Sequence, residues 1–187
     1  MVYLTPRIRT RHVAYQTKGI VHGDLKPGNV LVFKNETGRY VARVADFGYS
    51  TRYCGIDDVI SMPKSVPWNA PEHHHRGFSM PRAKKMDVYS FGALSLWLLF
   101  EKPGLTLFPS ATGTTSEPPE SLKDILLRHS SEDGLLSLAL NLVAEEESLN
   151  ADTSTRLINF FKASLNKDPD NRVDDVSKLI MLLVPER

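Results

Sequence analysis

The segment HGDLKPGNVLVF, residues 22 to 33, carries side chains whose types and spacing suit phosphoryl transfer. That reaction needs a group to accept the proton of the attacking hydroxyl, oxygen ligands for Mg²⁺ and a cation beside the transferred phosphate. Asp24 can accept the proton, Lys26 can supply the cation, and Asn29 offers an amide oxygen to the metal. The spacing therefore predicts a phosphoryl-transfer site in this segment.

A second oxygen ligand is expected because Mg²⁺ prefers hard oxygen donors. Asp46, in ADFGYS, follows two apolar runs, at residues 29–33 and 40–44, that flank the turn-forming segment KNETGR. The two runs predict a β-hairpin. Because a hairpin that leaves Asn29 returns at Asp46, the sequence predicts that these two metal ligands lie side by side.

The elements that must position these residues are mostly helical. Residues 45–71 are rich in Gly, Asp, Ser and Pro, which is typical of a long functional loop. Residues 85–101 are apolar almost all round, as expected of a central buried helix. The further helices predicted cover residues 8–17, 121–129, 134–147, 153–165 and 174–183, with Asp152 or Thr153 and Asp174 as N-caps.

The site motifs resemble those of eukaryotic protein kinases. The catalytic-loop pattern H-R-D-x-K-x-x-N of that family is matched by His22, Asp24, Lys26 and Asn29, and its D-F-G metal motif by residues 46–48. The resemblance implies that Asp24 and Lys26 are catalytic and that His22 organises the backbone near D-F-G. It also implies that Lys26, Asn29 and Asp46 bind the cofactor, and that Asn29 and Asp46 hold the metal.

Three further motifs follow in the order that the kinase family has them. A-P-E, which closes the activation segment, is matched by residues 70–72. DVYSFG resembles the central helix of the large lobe, where Asp87 would hold the catalytic-loop backbone. Arg172, in NKDPDNRV, lies where the family places an arginine that pairs with the A-P-E glutamate, here Glu72. The resemblance extends over residues 12–184 and makes these three residues structural supports.

The resemblance implies a mainly α fold, a protein-kinase-like C-terminal lobe in which a helical bundle surrounds a central buried helix, with one short β-hairpin at the catalytic site. The chain is then expected to be a partial protein kinase domain over residues 1–187. The expected parts are the catalytic loop 22–29, the metal motif 46–48, the activation segment 46–72 and the helical subdomain 85–184.

The implied activity is transfer of the ATP γ-phosphate to serine or threonine in a protein substrate, with Mg²⁺ or Mn²⁺. Lys26, two residues after the aspartate, resembles the serine/threonine class. Neither a glycine-rich G-x-G-x-x-G segment nor a V-A-I-K-type strand precedes His22. We therefore expect the N-terminal lobe to be missing, stand-alone activity to be weak or absent, and a further chain to cover the exposed surface.

Gly23 is a second departure, because the family pattern has an arginine there that often receives an activation-loop phosphate. Gating by such a phosphate is therefore not expected. Thr51, Ser61 and Ser65 are possible modification sites, and nothing in the sequence marks one of them as a switch.

Two other functions remain open at this point. A non-catalytic, kinase-derived scaffold or a gene fragment would also lack the small lobe. Aminoglycoside- or choline-type kinases share an H-G-D loop, which Gly23 fits, although Lys26, A-P-E, DVYSFG and Arg172 argue against them.

Composition favours an intracellular, most simply cytoplasmic, protein. The net charge is +1, so neither a nucleic acid nor a membrane surface is an expected partner. Cys54 is the only cysteine and cannot form an internal disulfide. The longest apolar run, residues 91–100, is about half the length of a membrane span.

Overall fold

The computed structural model describes residues 20–52, 59–74, 77–101, 124, 126–127 and 134–184. Two short antiparallel strand pairs precede the helices. Within these residues the strands are β1 (Ile20–Val21), β2 (Val30–Lys34), β3 (Tyr40–Val44) and β4 (Thr51–Arg52). The helices are α1 (Met80–Phe100), α2 (Gly134–Glu145), α3 (Ala151–Ser164) and α4 (Val176–Met181), and 3₁₀ turns cover Pro27–Asn29 and Pro169–Asn171. A mainly α fold with little sheet is therefore confirmed.

The predicted hairpin is present as strands β2 and β3. Val30 lies opposite Val44, and Lys34 lies opposite Tyr40. The turn is held by Asn35, whose Oδ1 accepts hydrogen bonds from the backbone N–H of Thr37 at 3.1 Å and of Arg39 at 2.9 Å. This arrangement brings the chain directly back to the end of the catalytic loop.

The prediction of a single hairpin was incomplete, because β1 and β4 form a second antiparallel pair. Ile20 lies opposite Arg52, and Val21 lies opposite Thr51. Each of these strands has only two residues, which is too short to show an alternating apolar pattern. The pair connects the entry to the catalytic loop with the segment that follows the hairpin.

Helix α1 is the central helix of the fold and begins at Met80, five residues earlier than the sequence predicted. Pro81 occupies the first turn, where a missing backbone N–H is tolerated. The helix packs against β1, α2, α3 and α4. Gly92 allows a close approach to α3, because a Cβ there would lie 2.5 Å from Ser164 Oγ. The prediction of a buried central helix is thus confirmed.

Both predicted N-cap assignments were wrong, by two or three residues for α3 and by one residue for α4. Helix α3 is capped by Asn150, whose Oδ1 accepts a hydrogen bond from the Thr153 backbone N–H at 2.9 Å. Helix α4 is capped by Asp175, which accepts from the Lys178 backbone N–H at 3.1 Å. Adjacent Asn, Asp and Thr residues are all good caps, so composition alone could not select among them.

The remaining helix predictions are met in part. Residues 124, 126 and 127 are helical and fall within the predicted helix 121–129, whereas the predicted helix 8–17 lies outside the described residues. Among the helices formed by the described residues, none has the length and apolar character needed to cross a membrane.

Candidate active site

The catalytic-loop backbone is held by a buried carboxylate of helix α1. Asp87 is fully buried and accepts hydrogen bonds from the backbone N–H of His22 at 2.6 Å and of Gly23 at 3.0 Å. Burial raises the pKa of Asp87 to about 7, the two hydrogen bonds oppose that rise, and the nearby charge of Asp24 adds to it. Asp87 therefore links the central helix to the loop through neutral donors.

The ionisation of Asp87 makes the free energy of unfolding depend on pH. The folded-state pKa of Asp87 is about 7 and the unfolded value is about 3.9, so the folded protein binds this proton more tightly. The stabilisation from protonated Asp87 is complete below about pH 4 and is lost as the pH rises through about 7. His22 acts in the opposite sense, because burial lowers its pKa and charging it in acid opposes folding.

Replacing Asp87 with asparagine should isolate this contribution. Relative to wild type, the free energy of unfolding of the variant should rise by up to about 1.4 kcal/mol per pH unit between about pH 4 and pH 7, then level off. The substitution should also lower the free energy of unfolding by about 1–3 kcal/mol at every pH, because one amide oxygen cannot accept equally from both N–H donors. Urea denaturation across this pH range measures the difference, and a constant difference would contradict the assignment.

Gly23 adopts a backbone conformation that disfavours any side chain. Its φ is +83°, and a Cβ would lie 3.1 Å from the backbone oxygen of Tyr49. We expect Gly23→Ala to destabilise the protein by about 1–2 kcal/mol. Gly28→Ala is a matched control from the same loop, because a Cβ there meets no atom within 4 Å. Equal denaturation midpoints for the two variants would contradict this account.

Asp24 is buried, and both of its carboxylate oxygens are engaged. Oδ1 accepts a hydrogen bond from the Ser65 hydroxyl at 2.6 Å, and Oδ2 lies 2.7 Å from Lys26 Nζ. Asn29 Nδ2 donates to Oδ2 at 3.1 Å and to the Asp24 backbone oxygen at 2.8 Å. Burial acts to raise the pKa of Asp24, but the bonds from Lys26, Ser65 and Asn29 outweigh it and lower the pKa. These three contacts therefore favour the ionised form of the Asp24 carboxylate.

The hairpin places Asn29 and Asp46 at neighbouring strand ends. Ala45, beside Asp46, donates its backbone N–H to the Asn29 backbone oxygen at 2.8 Å. Asp46 is exposed and has φ +58°, a left-handed conformation uncommon for a residue other than glycine. Its Oδ1 accepts from the Gly48 backbone N–H at 3.2 Å. Such a strained backbone is often found at functional sites.

The donor set of this pair fits Mg²⁺ bound together with a nucleotide. A carboxylate and an amide oxygen are hard ligands, and proteins commonly hold Mg²⁺ with one or two carboxylates, water and substrate phosphates. Within the described residues no group of three or more His, Cys, Asp or Glu side chains could hold a metal alone. Asn29 and Asp46 would therefore share the ion with phosphate oxygens.

His22 connects the catalytic loop to the metal motif. Its Nδ1 accepts a hydrogen bond from the Asp24 backbone N–H at 3.2 Å, so Nε2 carries the proton and donates to the Ala45 backbone oxygen at 3.0 Å. Its ring also meets the edge of Phe47, with centroids 5.2 Å apart. Burial lowers the pKa of His22, which favours the neutral ring that these contacts require.

Glu72 and Arg172 pair with each other, as the sequence predicted. The guanidinium donates to the two Glu72 carboxylate oxygens at 2.7 and 2.9 Å, and its side chain is 0% exposed. It also donates to the backbone oxygens of Asn166, Lys167 and Lys85 at 2.6, 3.0 and 3.2 Å. The pair therefore ties the end of the activation segment to helix α1 and to the loop after α3.

The sequence did not reveal how Ser65 takes part in the site. Its Oγ donates to Asp24 and accepts a hydrogen bond from Lys26 Nζ at 3.1 Å. Ser65 lies 41 positions from Asp24 in the chain, and its type and neighbours do not distinguish it from Ser61. Only the folded loop shows which hydroxyl reaches the Asp24 carboxylate.

The sequence of this chain also matches a known protein family. The family model of the protein kinase domain matches residues 11–180. The chain belongs to the protein kinase family. This kinase domain is 38% identical over 87 residues to U-box domain-containing protein 34 of Arabidopsis thaliana, covering 43% of the chain and 10% of that protein.

Other relatives carry kinase names, and two of them illustrate the extent of the match. MAP kinase kinase kinase mkh1 of Schizosaccharomyces pombe is 35% identical over 104 residues, which is 50% of the chain and 9% of that protein. Mitogen-activated protein kinase kinase kinase 13-A of Xenopus laevis is 38% identical over 80 residues, which is 43% of the chain and 8% of that protein. The kinase domain described here thus matches about a tenth of the length of these relatives.

Proposed function

We propose that this kinase domain transfers the γ-phosphate of ATP to serine or threonine side chains of proteins, with Asp24 as the proton acceptor. The observation that carries the proposal is the geometry of the buried Asp24 carboxylate, which lies 2.7 Å from Lys26 Nζ. Asn29 and Asp46, at neighbouring strand ends, complete the set of groups that phosphoryl transfer requires.

Each side chain has a definite task in this reaction. When bound, ATP would supply the phosphoryl group and Mg²⁺ would neutralise part of its negative charge. Asp24 orients the substrate hydroxyl and accepts its proton as the oxygen attacks phosphorus. Lys26 places its ammonium beside the transferred group, and Asn29 and Asp46 would hold the metal. Catalysis therefore depends on positioning and on fixed charges.

One motif that protein kinases use to cover the phosphates of ATP, the glycine-rich loop, is not found in the 187-residue sequence. The sequence has no G-x-G-x-x-G segment, and protein kinases also use a strand lysine paired with a helix glutamate. Removal of one preorganised electrostatic group commonly lowers a rate by about 10²–10³. We therefore propose that transfer by these residues alone is slow.

The exposed hairpin favours a binding partner in addition to the substrate. Val32 and Tyr40, which lie on the same face of the hairpin, are 63% and 66% exposed, and exposed apolar surface commonly marks interaction sites. We propose that another protein segment covers this surface in the functional kinase. An intracellular, cytoplasmic location is part of the same proposal, because the reaction uses ATP.

The substrate class can be tested with three matched peptides that differ only in the acceptor, which is serine, threonine or tyrosine. The protein is used in excess over labelled ATP, so that a single slow turnover is visible. We expect Mg²⁺-dependent labelling of the serine and threonine peptides and none of the tyrosine peptide. Labelling of tyrosine alone, or of aminoglycosides and choline but no peptide, would overturn the proposal.

A further inference from the structure

Two side chains that flank the A-P-E motif hold the backbone of the loop that precedes it. Asn69 Nδ2 donates a hydrogen bond to the Pro63 backbone oxygen at 3.1 Å, and His73 Nε2 lies 3.1 Å from the Met62 backbone oxygen. Because a carbonyl oxygen only accepts hydrogen bonds, His73 Nε2 is the donor in this contact. Two consecutive peptide oxygens of the loop are therefore each held by a side chain.

Two turns bring these donors towards the loop. The backbone N–H of Trp68 donates to the Ser65 oxygen at 2.9 Å, and that of His73 donates to the Ala70 oxygen at 3.0 Å. Such bonds between residues i and i+3 are typical of β-turns, in which the chain folds back on itself. The contacts to residues 62–63 therefore follow from the local course of the chain.

The His73 ring is itself fixed by a buried aromatic side chain. Its centroid lies 5.6 Å from that of Phe78, which is 5% exposed. Phe78 and Ile60 exchange two backbone hydrogen bonds of 2.8 and 2.9 Å. The loop is therefore held at three places, which are Ile60, Met62 and Pro63.

We propose that Asn69 and His73 are positioning residues for phosphoryl transfer to a protein substrate, and that they act by ordering the loop 62–65. The inference rests on the proposed function, because it concerns the same reaction. The loop ends at Ser65, whose hydroxyl lies 2.6 Å from Asp24 Oδ1. It therefore borders the carboxylate that a substrate hydroxyl must approach, and its order presents a preformed surface to the substrate.

Both side chains are expected to act on peptide binding rather than on the chemical step. A loop that is ordered before binding loses less conformational entropy when the substrate docks. Loss of one of these hydrogen bonds should weaken peptide binding by about 2–10-fold. The proposed metal ligands, Asn29 and Asp46, lie at the ends of the hairpin strands, so the affinity for Mg²⁺-ATP should be unchanged.

The first test replaces Asn69 with leucine in the whole 187-residue protein. Single-turnover transfer of labelled phosphate is measured against the concentration of a serine peptide. We expect the peptide concentration at half-maximal rate to rise about 2–10-fold, while the maximal rate and the affinity for Mg²⁺-ATP stay within about twofold of wild type.

Stability provides the control for this substitution. Leucine also removes Asn69 Oδ1, which is buried without a hydrogen-bond partner among the described residues. The denaturation midpoint should therefore stay near that of wild type, because the lost hydrogen bond is offset by the loss of an unpaired polar atom. Asn141→Leu, the same change at an exposed position of helix α2, should leave the midpoint and the peptide dependence unchanged.

Two substitutions at position 73 separate the hydrogen bond from the ring contact. His73→Phe keeps an aromatic ring beside Phe78 but removes the donor to the Met62 oxygen. His73→Gln keeps an N–H donor but removes the ring. We expect the half-maximal peptide concentration to rise about 2–10-fold in His73→Phe and to stay within about twofold of wild type in His73→Gln. The reverse order would show that the ring matters and would overturn the role of the hydrogen bond.

The possible failures are distinguishable. Peptide labelling with an unchanged half-maximal concentration in Asn69→Leu or in His73→Phe would overturn this inference and leave the proposed function intact. A rise that comes with a lower denaturation midpoint would indicate a folding defect and would also overturn the inference. Absence of peptide labelling by the wild-type protein would overturn the proposed function and the inference together.

Discussion

Replacing Asp24 with asparagine is expected to slow phosphoryl transfer by about 10²–10⁴-fold. The amide has nearly the same shape as the carboxylate but cannot take the proton of the attacking hydroxyl. Asn29 and Asp46, the proposed metal ligands, are unchanged by the substitution, so nucleotide binding should persist. The expected signature is therefore a loss of the chemical step with retained Mg²⁺-dependent ATP binding.

Single-turnover transfer of labelled phosphate to a serine peptide measures this effect. Asp174→Asn is a matched control, because Asp174 is an exposed aspartate that pairs with Lys178 at the start of helix α4. The control should transfer phosphate at the wild-type rate. A thermal melt of each variant separates loss of chemistry from loss of fold. Transfer by Asp24→Asn at the rate of the control would exclude Asp24 as the proton acceptor.

Replacing Arg172 with methionine is expected to lower the free energy of unfolding by about 3–5 kcal/mol. The guanidinium is fully buried, and its five hydrogen bonds reach Glu72 and three backbone oxygens. Methionine fills much of the volume but leaves the Glu72 carboxylate and those oxygens without this donor. Loss of one partner of a buried pair is costly because the other charge remains desolvated.

Urea denaturation provides the measurement, and Arg156→Met is the control. Arg156 forms an exposed i, i+4 pair with Asp152 on helix α3, so its loss should change stability by less than about 0.5 kcal/mol. Glu72→Gln combined with Arg172→Met should destabilise by less than the sum of the single changes. Additive losses would indicate that the two side chains do not interact in solution.

Short-range patterns were sufficient to predict much of the site. Asp24, Lys26 and Asn29 lie within six residues of each other, so their proximity follows from chain connectivity. The hairpin brings Asp46 back beside Asn29 because its strands pair in register. The apolar run in α1 likewise predicted a buried helix, since its length and its all-round apolar character are visible in the sequence.

Contacts between distant segments were harder to predict from residue types. The pairing of β1 with β4 joins strands of two residues, and the bond from Ser65 to Asp24 joins positions 41 residues apart. Neither leaves a local pattern. The start of α1 at Met80 was also missed, because Pro81, Arg82 and Lys84 separate Met80 from the apolar run.

The proposed roles of the site residues are tested most directly by comparing the wild-type protein with Asp46→Asn. The quantity to measure is the Mg²⁺ dependence of single-turnover phosphate transfer. Asparagine tolerates the left-handed conformation that position 46 adopts, so the substitution removes charge and leaves the backbone conformation accessible. We predict labelling of a serine peptide by wild type with Mg²⁺, none with a chelator, and none or little by Asp46→Asn. Labelling that survives the chelator, or that is equal in Asp46→Asn and wild type, would contradict the account.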